Sequence, residues 1–221
     1  MQAGHPTRHP HPDRQDHRQD SRCLSVRGDR LQTTDGGYSA KELASLKQPD
    51  TIRFHINSVG GTFAEGLAIA NLIKRQSADT VSIVEGYALS MASLLMLAAD
   101  RVEAAGNSLL MIHRAQGLTF GDVTEHEHAI RTLHKHDQVL IDTYRPRLGL
   151  TDDQVLDLLT EETWYTADEA LAAGLVDALT DDAKLDLDKA RSGSDDVGNV
   201  LARFRHPPRS IQPRLSAGLY S

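Results

Sequence analysis

The sequence predicts an α/β domain built on a mainly parallel sheet, with helices packed around it. Three short apolar segments rich in β-branched residues alternate with three segments whose apolar residues recur at helical spacing. Such an alternation is typical of a parallel sheet, because each helix carries the chain back to the same edge of the sheet. The predicted strands are 51–57, 80–86 and 108–113, and the predicted helices are 62–76, 90–99 and 122–147.

Each predicted element has a local reason. The strand TIRFHIN at 51–57 is β-branched and ends at a turn, and the segment SMASLLMLAA is apolar on nearly all sides, which is typical of a buried helix. The long helical segment 122–147 keeps its apolar residues along one side. Two short helices are expected at 152–159 and 167–173, and Gly174 is expected to end the second of them.

Charge and polarity divide the chain into a centre and two ends. The 221 residues carry a formal net charge of −7, while residues 32–180 alone hold 11 basic and 21 acidic side chains. Both ends contain few apolar side chains, so burial there cannot offset the entropy lost on ordering. We therefore predict a disordered polar tail at 1–23, a folded domain at 24–184 and a largely disordered C-terminal tail at 185–221.

The composition also excludes several classes of protein. The longest apolar run, MASLLMLAA, is shorter than the ~20 residues that a transmembrane helix needs, and the polar start does not resemble a secretory signal. One cysteine, Cys23, cannot form an internal disulfide or a cysteine zinc site. An acidic domain repels nucleic acid. We expect a cytoplasmic protein without cofactor or metal that binds neither nucleic acid nor membrane.

A turn with paired glycines, Asn57 to Thr62, follows the first predicted strand and opens the first predicted helix. Paired glycines permit positive φ and leave backbone N–H groups accessible, and a helix N-terminus favours negative charge. The turn is therefore either a plain strand-to-helix connection or a site for an anion. It is neither a dinucleotide-binding glycine motif nor a P-loop.

Two further residues lie at the same kind of position, where a predicted strand ends. Ser90 stands between a strand and the buried helix, as an N-cap or as a rigidly held nucleophile. The Gly-x-Ser-x-Gly elbow of α/β-hydrolases is absent around it. His113 ends the apolar strand SLLMIH. Because parallel strands end at one edge of a sheet, Gly61, Ser90 and His113 are expected to lie near one another.

Acidic and histidine residues complete the set of candidates. A nucleophile–base pair needs an acceptor that orients the base, and Glu161 or Glu162 can supply it, unless both belong to a solvated helix face. The histidines at 126, 128, 134 and 136 are not spaced for a metal site on one helix face. Those at 5, 9, 11 and 17 are interpreted as part of a solvated tail rather than as metal ligands.

Four segments, taken together and in this order, resemble the proteolytic subunit of Clp protease over about residues 24–180. They are INSVGGTFAEGLAIANLI, GYALSMASLLMLAAD, LLMIHRAQG and ETWYTADEALAAGLVDAL. Within that family, GGYSAKEL, GLAIANLIKR and the ETW segment are most similar to the phage and prophage head-maturation (prohead) proteases. The resemblance implies the layered Clp and crotonase-like fold, a protruding handle formed by the long helix, and a homo-oligomeric ring, single or as two stacked rings.

The resemblance also implies a role for individual residues. Ser90 matches the nucleophile and His113 the general base, and Gly61 and Met91 match the two backbone N–H donors of the oxyanion hole. The third member of the triad falls on Glu162, where housekeeping enzymes carry Asp. The less favoured substitutes for this third member are Asp168 and Asp177. A second departure is Val59, which stands where the family usually has Pro.

Three functions remain open at this stage. The first is a serine endopeptidase of phage or prophage origin that cleaves scaffold or capsid protein. The second is a housekeeping-like subunit that degrades unfolded proteins supplied by an AAA+ unfoldase. The third is a non-catalytic subunit or scaffold with the same fold.

Overall fold

The computed structural model describes residues 21–28 and 50–180, which form seven strands and five helices. The strands are β1 (Ser21–Gly28), β2 (Thr51–Ser58), β3 (Asp79–Leu89), β4 (Arg101–Ala105), β5 (Leu109–Ile112), β6 (Thr163–Thr166) and β7 (Ala178–Thr180). The helices are α1 (Phe63–Lys74), α2 (Met91–Met96), α3 (Val123–Leu148), α4 (Asp152–Glu161) and α5 (Ala167–Ala172).

The described strands form one mixed sheet that branches at β3. Strands β1, β2, β3, β4 and β7 pair in that order, all in parallel. The first part of β3 pairs with β4 and its last part pairs with β5, also in parallel. Strand β6 pairs with β5 in the antiparallel direction. The predicted α/β class with a mainly parallel sheet is confirmed.

The predicted strands and helices are all present, with ends that agree within three residues. The sequence pattern does not predict β1, β4, β6 or β7. Three of these are only three to five residues long, too short for alternation to be recognised. The fourth, β1, begins at Ser21, three residues before the expected start of the domain at residue 24. Residues 29–49 and the rest of both expected tails lie outside the described residues.

The core lies between β2, β3 and the helices that follow them. Strand β2 alternates strictly, and Ile52, Phe54 and Ile56 on its inner face are at most 3% exposed. Helix α1 buries one stripe against this face, whereas every residue of α2 is buried. The sequence prediction of a buried second helix is therefore confirmed. Because α2 is enclosed, the strand end that leads into it is held by packing on all sides.

Helix α3 is the longest of the described helices, and it begins with a capping box. Asp122 caps it by accepting hydrogen bonds from the backbone amides of Thr124 and Glu125, and the Glu125 carboxylate accepts one from the Asp122 amide in return. Hydrogen bonding to the Glu125 side chain, and then to these backbone amides, lowers the pKa of Asp122. The residues of α3 that reach the core are Asp137, Leu140, Ile141 and Tyr144, all in its second half.

No described helix has the length and apolarity to cross a membrane.

Two buried hydroxyls allow a test of the packing. Ser82 Oγ and Ser108 Oγ have no hydrogen-bond partner among the described residues. An unsatisfied buried hydroxyl costs free energy, so Ser82→Ala and Ser108→Ala should leave the free energy of unfolding unchanged or raise it by about 1 kcal/mol. The matched control is Thr80→Val, because Thr80 lies in the same strand as Ser82. Thr80 Oγ1 donates to the Asp100 carboxylate and accepts from the Asp100 amide. Thr80→Val should therefore lower the free energy of unfolding by about 1–3 kcal/mol. Urea denaturation measures all three changes, and a clear loss for either serine variant would contradict the packing.

Candidate active site

Ser90 lies in a sharp turn between β3 and α2, and its side chain does not cap the helix. Its side chain makes no capping hydrogen bond, and its backbone angles are φ 55° and ψ −125°. A positive φ is uncommon outside glycine, and within the described residues only Ser90 and Glu162 show it apart from glycines. The turn places the side chain at the end of a parallel strand and outside the helix. Ser90 therefore occupies the N-cap position of α2 without the side-chain hydrogen bond that a capping serine makes.

His113 directly follows β5 and lies against Ser90. The distance between His113 Nε2 and Ser90 Oγ is 2.7 Å, a normal hydrogen bond. The two residues meet because β5 pairs with the last three residues of β3, so both strands end at the same place. The Ser90 amide also donates to the Met111 carbonyl in β5, at 2.9 Å. The sequence prediction that these strand ends converge is thus seen in the structure.

The glycine turn after β2 lies directly beside Ser90. Gly60 has a φ of 97°, and a Cβ there would lie 2.8 Å from Ser90 Cβ and 3.0 Å from the Met91 nitrogen. Only glycine allows this approach. The Gly61 and Met91 amides donate no hydrogen bond to any of the described residues. Met91 follows Ser90 in the chain, and Gly61 follows the glycine that lies against Ser90.

Helix α1 packs tightly against the residue that follows Ser90. Gly66 lies under the Met91 side chain, and a Cβ on Gly66 would lie 2.2 Å from Met91 Cγ. The absence of a side chain at Gly66 therefore sets the distance between α1 and α2. It also fixes the Met91 backbone next to the Gly60–Gly61 turn.

The structure separates the four acidic residues considered as the third member. Glu162 is 4% exposed and lines a cleft of about 200 Å³ together with His113, whereas Glu161 and Asp168 are exposed. The left-handed backbone of Glu162, φ 57°, turns the chain at the end of α4 and directs this side chain inward. Asp177 is engaged elsewhere, by the Val102 amide and the Arg147 guanidinium.

The His113 imidazole has a second partner, Gln116, which the sequence pattern does not predict. Gln116 Nε2 lies 3.2 Å from His113 Nδ1, three residues further along the chain. The Glu162 carboxylate contacts Trp164 Nε1 at 3.5 Å. Amide oxygen and nitrogen exchange places when a glutamine side chain turns by half a rotation, so Gln116 can also accept from Nδ1–H. No sequence signal marks Gln116, because its role depends on the path of the segment after β5.

The segment after His113 is anchored to α3 by a buried carboxylate. Asp137 Oδ2 accepts from Arg114 Nε at 2.9 Å and Nη2 at 2.7 Å, and Asp137 Oδ1 accepts from the Ala115 amide at 3.0 Å. The Arg114 amide donates to the Leu159 carbonyl. Asp137 is 3% exposed, so these three donors compensate a charge removed from water. Sequence reasoning missed this pair because 23 residues separate its members.

A metal site is absent from the described residues. No group of three or more His, Cys, Asp or Glu side chains there is arranged to hold an ion. His136 stacks on Phe63, with ring centroids 4.2 Å apart and an interplanar angle of 18°. The other helix histidines, at 126, 128 and 134, are exposed. The N-terminal histidines at 5, 9, 11 and 17 lie outside the described residues.

Comparison with known proteins identifies the family. A family model described as Clp protease matches residues 39–183, which is well over half of the chain. The chain belongs to the Clp protease family. It is 34% identical over 142 residues to the ATP-dependent Clp protease proteolytic subunit 1 of Chlamydia abortus, a match that covers 62% of this chain and 73% of the relative. The family description and the names of the matched relatives are those of proteases.

Other Clp protease subunits match over a similar number of residues. The ATP-dependent Clp protease proteolytic subunit of Deinococcus radiodurans is 29% identical over 144 residues, covering 64% of this chain and 71% of the relative. That of Bacteroides fragilis is 31% identical over 137 residues, covering 61% of this chain and 66% of the relative. The matched family range contains Gly61, Ser90, Met91, His113 and Glu162.

Proposed function

We propose that the chain hydrolyses peptide bonds with Ser90 as the nucleophile and His113 as the general base. The observation that carries this proposal is the 2.7 Å contact between Ser90 Oγ and His113 Nε2. It is supported by the positive φ of Ser90, which is characteristic of residues held in an uncommon conformation at functional sites. Nucleophile and base within hydrogen-bond reach are the signature of covalent catalysis.

The steps follow from this pair. Nε2 accepts the hydroxyl proton as Ser90 Oγ attacks the carbonyl carbon of the scissile bond. The imidazolium then returns that proton to the leaving amine, and an acyl-enzyme remains on Oγ. Water, activated by the same nitrogen, attacks the acyl carbon and releases the acid and free Ser90. No cofactor takes part in this sequence.

The oxyanion of each tetrahedral intermediate is proposed to be bound by the Gly61 and Met91 amides. Gly61 belongs to the turn that contacts Ser90, Met91 directly follows Ser90, and neither amide donates to another described residue. A fixed N–H donor of this kind is worth about 3–4 kcal/mol in the transition state. The close approach of Gly60 to the Met91 nitrogen supports the proximity of the two donors.

Glu162 is proposed as the carboxylate that orients His113. It is buried, lines the cleft beside the imidazole and carries the negative charge needed to stabilise imidazolium. Since Nε2 accepts from Ser90, Nδ1 carries the remaining proton, and this nitrogen lies beside Gln116. Gln116 contributes a neutral polar partner, and Glu162 contributes the charge.

A homo-oligomeric ring, single or as two stacked rings, is proposed as the working form, with α3 as the handle. Its first half is exposed, and apolar side chains concentrate there and on the segment before it. They are Leu118, Phe120, Val123 and Ile130, which are 53% to 85% exposed. Exposed apolar side chains grouped in this way are typical of surfaces that contact another protein.

The substrate is proposed to be the scaffold or capsid protein of a phage head, because the segments GGYSAKEL and GLAIANLIKR are in the style of head-maturation proteases. The second candidate is degradation of unfolded proteins with an AAA+ partner, since the matched relatives carry the name ATP-dependent Clp protease proteolytic subunit. Both use the same site and differ in what delivers the peptide to it.

One pair of assays separates these candidates. The purified protein is incubated with a phage capsid or scaffold protein, without nucleotide, and separately with an unfolded protein, an AAA+ unfoldase and ATP. Cleavage of the first substrate at discrete positions supports head maturation, and ATP-dependent degradation of the second supports the alternative. Failure of a fluorophosphonate probe to label Ser90 would contradict both and leave the non-catalytic scaffold.

A further inference from the structure

The conformation of Ser90 must be held by its surroundings. Its backbone angles, φ 55° and ψ −125°, lie outside the regions that a serine adopts at low energy. The sequence Ala-Leu-Ser-Met-Ala contains no glycine that would make this turn easy. The groups that bond to the Ser90 peptide therefore decide where its Oγ points.

The Ser90 carbonyl is held by Ser93, one turn further along. The Ser93 amide donates to it at 3.0 Å, and the Ser93 hydroxyl donates to it at 2.6 Å. The amide bond is available to any residue at position 93, but the second bond requires a hydroxyl. Ser93 is completely buried, so no water replaces that hydroxyl if it is removed.

Tyr144 of α3 fixes the Ser93 hydroxyl in turn. Tyr144 Oη lies 2.7 Å from Ser93 Oγ, and Tyr144 is 1% exposed. Because Ser93 gives its hydrogen to the Ser90 carbonyl, the phenol must donate its own hydrogen to Ser93 Oγ. Burial raises the pKa of Tyr144, which keeps the phenol protonated as a donor. The direction of both bonds is thereby set.

We propose that Ser93 and Tyr144 are positioning residues for catalysis, and that the bonds from Tyr144 Oη to Ser93 Oγ and from Ser93 Oγ to the Ser90 carbonyl hold the nucleophile in its attacking conformation. This inference rests on the proposed role of Ser90. It extends the site from the residues that touch substrate to a residue of α3, 51 positions after Ser93 in the sequence.

A purely structural role for this pair makes a different prediction. Two buried hydroxyls that only satisfy each other would stabilise the contact between α2 and α3 without affecting the rate of attack. A positioning role affects the rate of acylation and leaves substrate binding unchanged, because neither hydroxyl touches the peptide. The two roles are therefore separated by kcat and KM, not by stability.

The test uses Ser93→Ala, Tyr144→Phe and the double variant, each of which removes only hydroxyl oxygens. Misplacement of a reacting group by about 1 Å can cost about 10²-fold in rate, so we expect kcat and the rate of fluorophosphonate acylation to fall about 10- to 100-fold, with KM unchanged. Because the bonds form one chain, the double variant should be no slower than the slower single variant.

The matched controls are Ser82→Ala and Tyr165→Phe. They remove a buried serine hydroxyl and a neighbouring tyrosine hydroxyl that make no bond to Ser93, and both should keep wild-type kcat. Thermal denaturation of every variant verifies folding, and if one test variant is unfolded the other decides. A kcat within twofold of the controls in a folded Ser93→Ala or Tyr144→Phe protein overturns the positioning role. Absence of activity and labelling in the wild type instead overturns the proposed function, and this inference with it.

Discussion

Ser90→Ala is expected to abolish peptidase activity while the protein keeps its fold and its assembly. The change removes one oxygen from a half-buried side chain and leaves the backbone bonds to Met111 and Ser93 in place. His113→Ala should be nearly as severe, because the members of a catalytic triad act as a unit. Each single loss is expected to cost on the order of 10⁶ in kcat, and the double variant should be no slower than either.

A fluorogenic peptide measures the loss, and Ser82→Ala is the matched control for removal of a serine hydroxyl. Ser82 is buried in β3 and its hydroxyl has no bond to any described residue, so activity should remain at the wild-type level. The fluorophosphonate probe should label wild type and control but not Ser90→Ala. Residual activity of Ser90→Ala above a thousandth of wild type would exclude Ser90 as the nucleophile.

The part of the site that the sequence predicts is the part fixed by strand ends. Residues 51–57, 80–86 and 108–113 are recognisable as strands, and parallel pairing brings the residues that follow them to one edge. Gly61, Ser90 and His113 follow from this rule, without knowledge of any side-chain contact. The sequence thus predicts that Ser90 and His113 lie near each other, but it does not predict the 2.7 Å hydrogen bond between them.

The contacts that sequence reasoning could not predict are those between distant segments. The bonds from Tyr144 to Ser93 and from Arg114 to Asp137 connect α3 to α2 and to the segment after β5, across 51 and 23 residues. In the sequence pattern of this amphipathic helix, Asp137 looks like a polar surface position and Tyr144 looks like a core position. Their partners lie in segments far away in the sequence, and no local pattern encodes such contacts.

The orientation of the acidic residues was likewise hidden from the sequence. Glu161 and Glu162 are neighbours at the end of α4, and a regular helix end would leave both on its surface. The left-handed backbone at Glu162 ends the helix and turns this residue inward, so that one is exposed and the other buried. A positive φ at a glutamate has no reliable signal in the sequence.

Glu162→Gln provides the second large effect that we expect. The substitution keeps the size of the side chain but replaces a carboxylate with a neutral amide beside His113. Loss of the charge that stabilises imidazolium should lower kcat by about 10³- to 10⁴-fold, as for triad acids in other serine proteases. KM should change little, because the proposed role of this carboxylate is to orient the base and not to bind the peptide. The measurement is kcat and KM on one fluorogenic peptide.

Glu161→Gln is the matched control, because Glu161 precedes Glu162 directly and is exposed to solvent. It should retain wild-type kcat, since an exposed carboxylate on the other side of the turn does not reach His113 Nδ1.

Gln116→Ala completes the comparison, because Gln116 Nε2 lies 3.2 Å from His113 Nδ1. A neutral amide orients the imidazole without stabilising its charge, so its removal should cost less than Glu162→Gln. Near-wild-type kcat for Glu162→Gln, with a large loss for Gln116→Ala, would transfer the orienting role to Gln116 and leave Ser90 and His113 as a pair without a carboxylate.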